Sequence, residues 1–416
     1  MSAYGNLLDP ARRERIPLGV KADRQYHSIT HNPSTIGEGE TLYVRVPKLK
    51  RDVVIVPGTL KLTFEMAKKG NTNNLFVNNV ARNLQARVVD KLGGEIISDV
   101  NYYYIYQTYK DLWLSKKKRK NLVLQGIGEE NLRKLRSEAG DAAKDKDKQN
   151  AILKAYGKKY AIPLDFEIYN DHGPFYPNVI SEDFIREITF NKAQYAVSSE
   201  TPANMGYEIT NIAIEYETVH SPELARQIEA DYMTGMSFLY DYVTYFKTQA
   251  TGTEKTLNIN VNIPRRSMKG ILVFFQESKG AGEYDSEATP FQNPEITDVQ
   301  VTIEGLANKV YAQGFKPHQQ WDEARRHFLP EDERRSENSE VDIEEFYGNN
   351  KFALWLDLRS TEDGKLHGSG LKLVNTNDGV QLAITRESTT KYTMHVFVVA
   401  DAQLSIGNRQ LHSIMF

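Results

Sequence analysis

Along most of the chain, hydrophobic and polar positions alternate with period two in short bursts, the spacing that turns one face of an extended strand inward and the other toward water. Leu42 to Val46 is one such burst, followed by Leu60, Leu62 and Phe64 with polar residues between them, then by Val88 and Val89 leading into Gly93-Gly94. Paired glycines after such a run mark a hairpin turn, because glycine adopts positive φ without steric cost. The pattern predicts further strands at Tyr160 to Tyr169, Phe184 to Phe190, Ile209 to Tyr216, Thr256 to Ile263, Lys269 to Gln276, Val299 to Glu304, Lys351 to Leu358, Gly379 to Thr385 and Thr393 to Val399.

Four stretches depart from this alternation. Asn101 to Leu114 is aromatic-rich and reads as a strand or a short helix, whereas Glu129 to Tyr156 has the Lys, Glu, Ala and Leu content of a solvated helix within a basic insertion at about 115–159. Ser221-Pro222-Glu223 predicts a helix start, with Ser as N-cap and Pro in the first turn. The first 35 or so residues mix Arg, Pro, Gly and Asn without a period and read as an arm. Many short strands with Gly, Pro and Asn turns and little helix predict an all-β chain of sandwiches or barrels. At 416 residues the chain exceeds what one core supports, so two domains are expected. The segmentation is an arm at 1–35, a first domain at 36–220, a linker helix at 221–234 and a second domain at 235–416, with no close sequence repeat between the halves.

Composition narrows the chemistry. The 23 Tyr and 17 Phe favour strands, and the absence of cysteine excludes disulfides, cysteine-ligated zinc and thiol nucleophiles. The N-terminus, from Met1, Ser2 and Ala3, has no basic leader with an apolar core, and no run nears the ~18 apolar residues of a membrane span, so neither secretion through a signal nor membrane embedding is expected. The net charge of -3 hides local asymmetry. Ser115 to Lys159 carries 14 Lys and Arg against 6 Asp and Glu, and His318 to Phe346 carries 4 against 10, blocks expected on opposite surfaces.

No arrangement of catalytic or metal-binding residues emerges. The nine histidines include neither His-X-His nor His-Glu-X-X-His, so His27 and His31 in the arm and His395 in a strand are read as structural. Gly93-Gly94 and Gly364 to Gly370 lack the Lys-Ser/Thr or helix context of a phosphate loop and read as turns. Glu331-Asp332-Glu333 and Glu344-Glu345 read first as a solvated loop, with divalent-ion binding between subunits as the alternative. Lys116-Lys117-Lys118-Arg119-Lys120 reads first as a solvated turn, with phosphate contacts to DNA or nuclear import as alternatives. No catalytic, cofactor or metal residue is expected.

Several motifs recur in a fixed order. Val77-Asn78-Asn79-Val80 and Leu84 precede Leu92-Gly93-Gly94-Glu95-Ile96-Ile97 and Tyr103 to Leu114; Ile162-Pro163-Leu164-Asp165-Phe166 precedes Gly173-Pro174 and Ile185-Arg186-Glu187-Ile188. Tyr216 to Glu223 with Arg226 and Tyr232, Ile263-Pro264 to Gln276, and Val396 to Ala400 with Leu404 to Asn408 complete the series. In this order they resemble the double jelly-roll major capsid proteins of nucleocytoplasmic large DNA viruses and the related Polinton or Maverick elements. Trp355 to Leu373 departs from the family pattern, retaining only Gly368-Ser369-Gly370-Leu371.

The resemblance implies two tandem eight-stranded jelly rolls. It further implies a non-enzymatic shell protein that forms homotrimers of pseudo-hexagonal outline and then an icosahedral capsid around double-stranded DNA. Implied partners are neighbouring capsomers, minor capsid and penton proteins, and packaged DNA or an inner membrane, in virions assembled in the host cytoplasm or nucleus. Arg12, Arg13 and Arg15 would then face the genome or minor proteins, or clamp a neighbouring capsomer. A variant reading is a scaffold lattice on a membrane surface. The rival reading, a carbohydrate-binding β-sandwich or glycan hydrolase, needs an exposed aromatic platform and paired acids, and Trp113, Trp321 and Trp355 are dispersed in sequence.

Overall fold

The computed structural model describes residues 23–416 except 51, 70–74, 138–150, 165–167, 171–172, 199–204, 251, 253, 279–290, 305, 308–309, 330–338, 340, 361–369 and 374–378. The chain forms two compact units that are discontinuous in sequence: the first gathers residues up to Tyr104, Leu122–Asp241 and Ala402–Met415, and the second gathers Ile105–Asn121, Tyr242–Asp401 and Phe416.

The described residues of the first unit include two larger antiparallel sheets beside the short pair Leu75–Phe76 and Val197–Ser198. In one, the long strand Gly206–His220 pairs with Asp23–Thr30 on one side and with Lys61–Lys69 and Val53–Ile55 on the other, and Lys159–Pro163 extends the sheet beyond Lys61–Lys69. The other runs in the order Thr41–Arg45, Phe184–Phe190, Gln85–Leu92, Glu95–Asn101. Period-two burial is clearest in Phe184–Phe190, where Phe184, Ile188 and Phe190 turn inward as the alternation predicts. Gly93 and Gly94, with φ of 61° and 92°, make the two-residue turn between the last two strands. The helix Pro222–Thr234 starts as expected: Leu224 N–H donates to the Ser221 hydroxyl, and Leu224, Ala225, Ile228 and Tyr232 form its buried face.

One segment of the expected arm is ordered differently. Asp23–Thr30 is an edge strand, in register from Asp23 opposite His220 to Thr30 opposite Ala213. It stays exposed along almost its whole length, so it shows no apolar alternation; its backbone ladder, not burial, makes it a strand. Arg12, Arg13 and Arg15 lie outside the described residues.

The second unit is built around Arg265–Glu277, which pairs with Tyr392–Gly407 through residues 392–400 and, on its other edge, with Leu354–Asp357 and Leu371–Leu373. A second sheet runs Thr256–Val261, Val380–Arg386, Ile296–Ile303, Leu306–Ala307. Ile271 to Phe275 are fully buried one after another, which a one-sided strand does not allow. Their second cover is an aromatic layer. The helix Tyr103–Leu112 resolves the ambiguous aromatic stretch, and Tyr106, Tyr109 and the following Trp113 keep the i, i+3, i+7 spacing of one helix face. Tyr109 meets Phe274, Phe291 and Phe328 with ring centroids 4.8, 5.0 and 5.2 Å away. Trp113 stacks on Phe328 and approaches Trp321 at 5.6 Å.

Candidate functional site

The histidines singled out in the sequence have local structural settings. His27 shares a hydrogen bond with the Thr218 hydroxyl at 2.8 Å and stacks on Tyr216, and His31 bridges the carbonyls of Pro33 and Tyr43. In the second unit, His395 donates through Nε2 to Gln276 Oε1 and accepts from the Tyr245 hydroxyl, both at 3.0 Å, while His327 lies flat on Trp355 at 3.6 Å. Burial, reinforced by the Lys247 charge, pushes the His395 imidazole down to about 4. Burial and then the charges of Arg359, Lys269 and Lys110 push His327 well below its ordinary value. Both are therefore neutral at pH 7. Because the unfolded chain binds these protons near pH 6.5 and the folded chain does not, stability falls as pH drops from about 6.5 toward 4. His395 alone contributes a loss of about 3 kcal/mol by pH 4. Denaturant melts at about pH 7 and about pH 4.5 check this: His395→Gln is expected to flatten the dependence, and an unchanged slope counts against it.

Among the described residues no three His, Asp or Glu side chains group closely enough to hold a metal ion. The most concentrated polar chemistry of the first unit lies behind its edge strand. Glu215, with a side chain only 4% exposed, takes Lys159 Nζ at 2.5 Å and Lys61 Nζ at 3.4 Å, and accepts from the Thr63 hydroxyl at 3.1 Å. Burial raises the Glu215 carboxyl, but hydrogen bonds from Lys159, Tyr26 and Thr63 and the Lys159 charge outweigh it and hold the group at about 2. Tyr26, on the edge strand, is pushed up to about 12 by its partial burial and by the bond to Glu215. Arg24 pairs with Glu217 on the same strand pair. Asp23–Thr30 is thus held by its backbone ladder and a polar latch. Tyr26 and Ile29 remain outside at 59% and 47% exposure, as does Tyr43 at 60% on Thr41–Arg45, the edge strand of the other sheet.

The basic run forms the short helix Lys116–Lys120, capped by the Ser115 hydroxyl, which accepts from Lys118 N–H. Lys116, Lys117, Lys118 and Lys120 are exposed, whereas Arg119 points into the fold. Because Arg119 is buried, the four lysines carry the exposed charge of this helix. The expectation that the basic and acidic blocks occupy opposite surfaces fails at their ends: Ser115, which opens the basic block, pairs with Ser339 inside the acidic one. Strand-like pairing between residues so distant in sequence leaves no trace in either charge run. Glu344 and Glu345 sit in the first turn of Ile343–Gly348, where the Asp342 carboxylate caps Glu345 N–H at 2.8 Å. Glu331-Asp332-Glu333 and residues 364–369 lie outside the described residues.

No family model matches the sequence, and no curated protein matches it. Solved structures do match. The PBCV-1 virus capsid superposes with a TM-score of 0.61 at 11% identity, covering 96% of this chain and 97% of that chain. The Sputnik virophage structure gives 0.61 at 12% identity, over 95% of this chain and 89% of that one, and the Faustovirus major capsid protein gives 0.58 at 8%, over 94% and 91%. The fold is a double jelly roll. At such identities the likeness is carried by topology, not by shared side chains.

In this double jelly roll the tryptophans correct one sequence reading. Trp113, Trp321 and Trp355 are far apart in sequence but belong to one aromatic cluster of the second unit, linked through Phe328. Trp113 and Trp355 are nonetheless almost fully buried, and Trp321 is half-buried. They therefore form core, not the exposed platform that stacking on a sugar ring requires.

Proposed function

We propose that this double jelly roll is the major capsid protein of a double-stranded DNA virus or related element: a non-enzymatic subunit that trimerises into pseudo-hexameric capsomers and tiles an icosahedral shell. The observation that carries this is the reciprocal likeness to viral capsid structures through nearly the whole of both chains. The physical logic agrees. A cyclic trimer closes its own heterologous contacts, and two similar sandwiches per subunit give six blocks around the threefold axis, an outline that tiles a surface. Neighbouring capsomers, minor capsid and penton proteins and an inner membrane are the remaining partners in this reading, and the virion is its location. The buried tryptophans argue against the glycan-binding alternative.

Within this proposal, Arg12, Arg13, Arg15 and the exposed Lys116, Lys117, Lys118 and Lys120 are the candidate contacts to packaged DNA. Size-exclusion chromatography with light scattering tests the whole reading: a species of three times 47.5 kDa, or closed shells, is expected. A clean monomer at every salt and pH overturns it. On the same sample, replacing the four lysines by Gln is expected to flatten the salt dependence of DNA retention, because each lost phosphate contact removes about 0.9 from the logarithmic slope.

A further inference from the structure

In the second unit, where Arg265–Glu277 pairs with Tyr392–Gly407, Met268 faces Ala400 and Gly270 faces Val399, which leaves Lys269 as the extra residue of a β-bulge. A bulge breaks the alternation of faces and re-aims the side chain it carries. Lys269 is brought to Asp401, with Nζ 3.6 Å from Oδ1 and the two side chains only 13% and 9% exposed. That distance exceeds the ~2.7–2.9 Å of a charge-assisted hydrogen bond, so the contact offsets little of the cost of taking both charges out of water. The other carboxylate oxygen has a different partner. The buried Ser267 hydroxyl donates to Asp401 Oδ2 at 2.5 Å, and Gly370 N–H in turn donates to Ser267 Oγ at 3.0 Å. Position 370 needs glycine for this approach, since a Cβ there would stand 2.5 Å from the Met268 carbonyl oxygen and 2.7 Å from Ser267 Oγ. A primary amine, a carboxyl group and an oriented hydroxyl thus meet in one buried place.

We infer that Lys269 and Asp401 condense into an intramolecular amide, a covalent staple between neighbouring strands of the second unit. The Lys269 ammonium passes one proton to Asp401 Oδ1, and the resulting amine attacks Cγ to form the new N–C bond. The electron pair of the C=O bond moves onto Oδ2, where the Ser267 hydroxyl stabilises the negative charge. Nζ then gives a second proton to Oδ1, the Cγ–Oδ1 bond breaks, and water leaves as Oδ2 returns to a carbonyl. Ammonium and carboxylate become amide and water without oxidant or co-reactant, and the product no longer carries two buried charges. The buried Arg186–Asp90 pair cannot take this course, because a guanidinium keeps its proton in proteins. Each chain reacts once with itself, so the step is a modification and not turnover, and it is independent of capsid assembly.

Intact-mass spectrometry of the purified full chain, followed by a tryptic digest, tests the inference. The chain is expected to be lighter than its sequence by one water molecule. The digest is expected to contain a branched peptide in which Ser267–Lys279, uncut at Lys269, is joined to Tyr392–Arg409. Lys269→Arg keeps a cation at this position without a reactive amine and is expected to show its full sequence mass. Ser267→Ala is expected to slow the loss of water about a hundredfold, the usual effect of removing one donor from a developing oxyanion. Should either variant not fold, the branched peptide of the unaltered chain decides the matter by itself. A full sequence mass after prolonged incubation, an unchanged rate in Ser267→Ala, or a water loss that maps instead to ring closure at Asp363-Gly364 or Asp378-Gly379 overturns the proposal.

Discussion

Replacing Tyr109 by Ala is expected to destabilise the second unit by roughly 4 kcal/mol, the usual cost of emptying a buried aromatic site. Tyr109 is completely buried, its ring is surrounded by Phe274, Phe291 and Phe328, and its hydroxyl donates to the Lys351 carbonyl at 3.2 Å. The loss therefore combines transfer of the ring with a cavity that the rigid neighbouring rings cannot close. Tyr109→Phe keeps the ring and removes only the hydrogen bond, so its cost is expected to be about 1 kcal/mol. All three tryptophans belong to the second unit, so tryptophan fluorescence during urea unfolding reports this unit selectively. Equal midpoints for Tyr109→Ala and the unaltered chain would show that Tyr103–Leu112 is a peripheral helix and not part of this core.

The second large effect is expected in the first unit, at an ion pair that the strand pattern hides. Arg186 stands directly opposite Asp90 across adjacent strands, and the two form a bidentate pair at 2.7 and 2.8 Å with side chains 7% and 12% exposed. Removing the carboxylate strands a buried guanidinium, so Asp90→Ala is expected to cost roughly 3–5 kcal/mol. Replacing both members by Leu removes the desolvation penalty along with the attraction and is expected to be near neutral. Calorimetric melts of Asp90→Leu, Arg186→Leu and the double variant close a cycle in which a large coupling energy is expected. Simple additivity of the single losses would rule out the pairing as the source of the cost.

These two sites mark where sequence reading stopped and packing took over. Arg186 falls at an inward position of Phe184–Phe190, as does Arg386 on Val380–Arg386, and charge within a period-two strand ordinarily predicts an outward side chain. Only the partner decides otherwise. For Arg186 it is Asp90, and for Arg386 it is the carbonyls of Glu254 and Thr390 with the Tyr392 ring, none of which lies at a fixed spacing along the chain.

By itself the sequence determined the elements whose cause is local: the alternating strands, the Gly93-Gly94 hairpin, the Ser221-capped helix and the all-β character, through side-chain period, backbone freedom and capping. The ordered series of motifs also carried the double jelly-roll reading. Tertiary structure alone decided what depends on contacts between distant residues: that residues 105–121 join the second unit, that Asp23–Thr30 adds to a sheet edge without an apolar face, and that the basic and acidic blocks meet at Ser115 and Ser339. Local propensity sets what a segment is, while burial and pairing across the fold set where it goes.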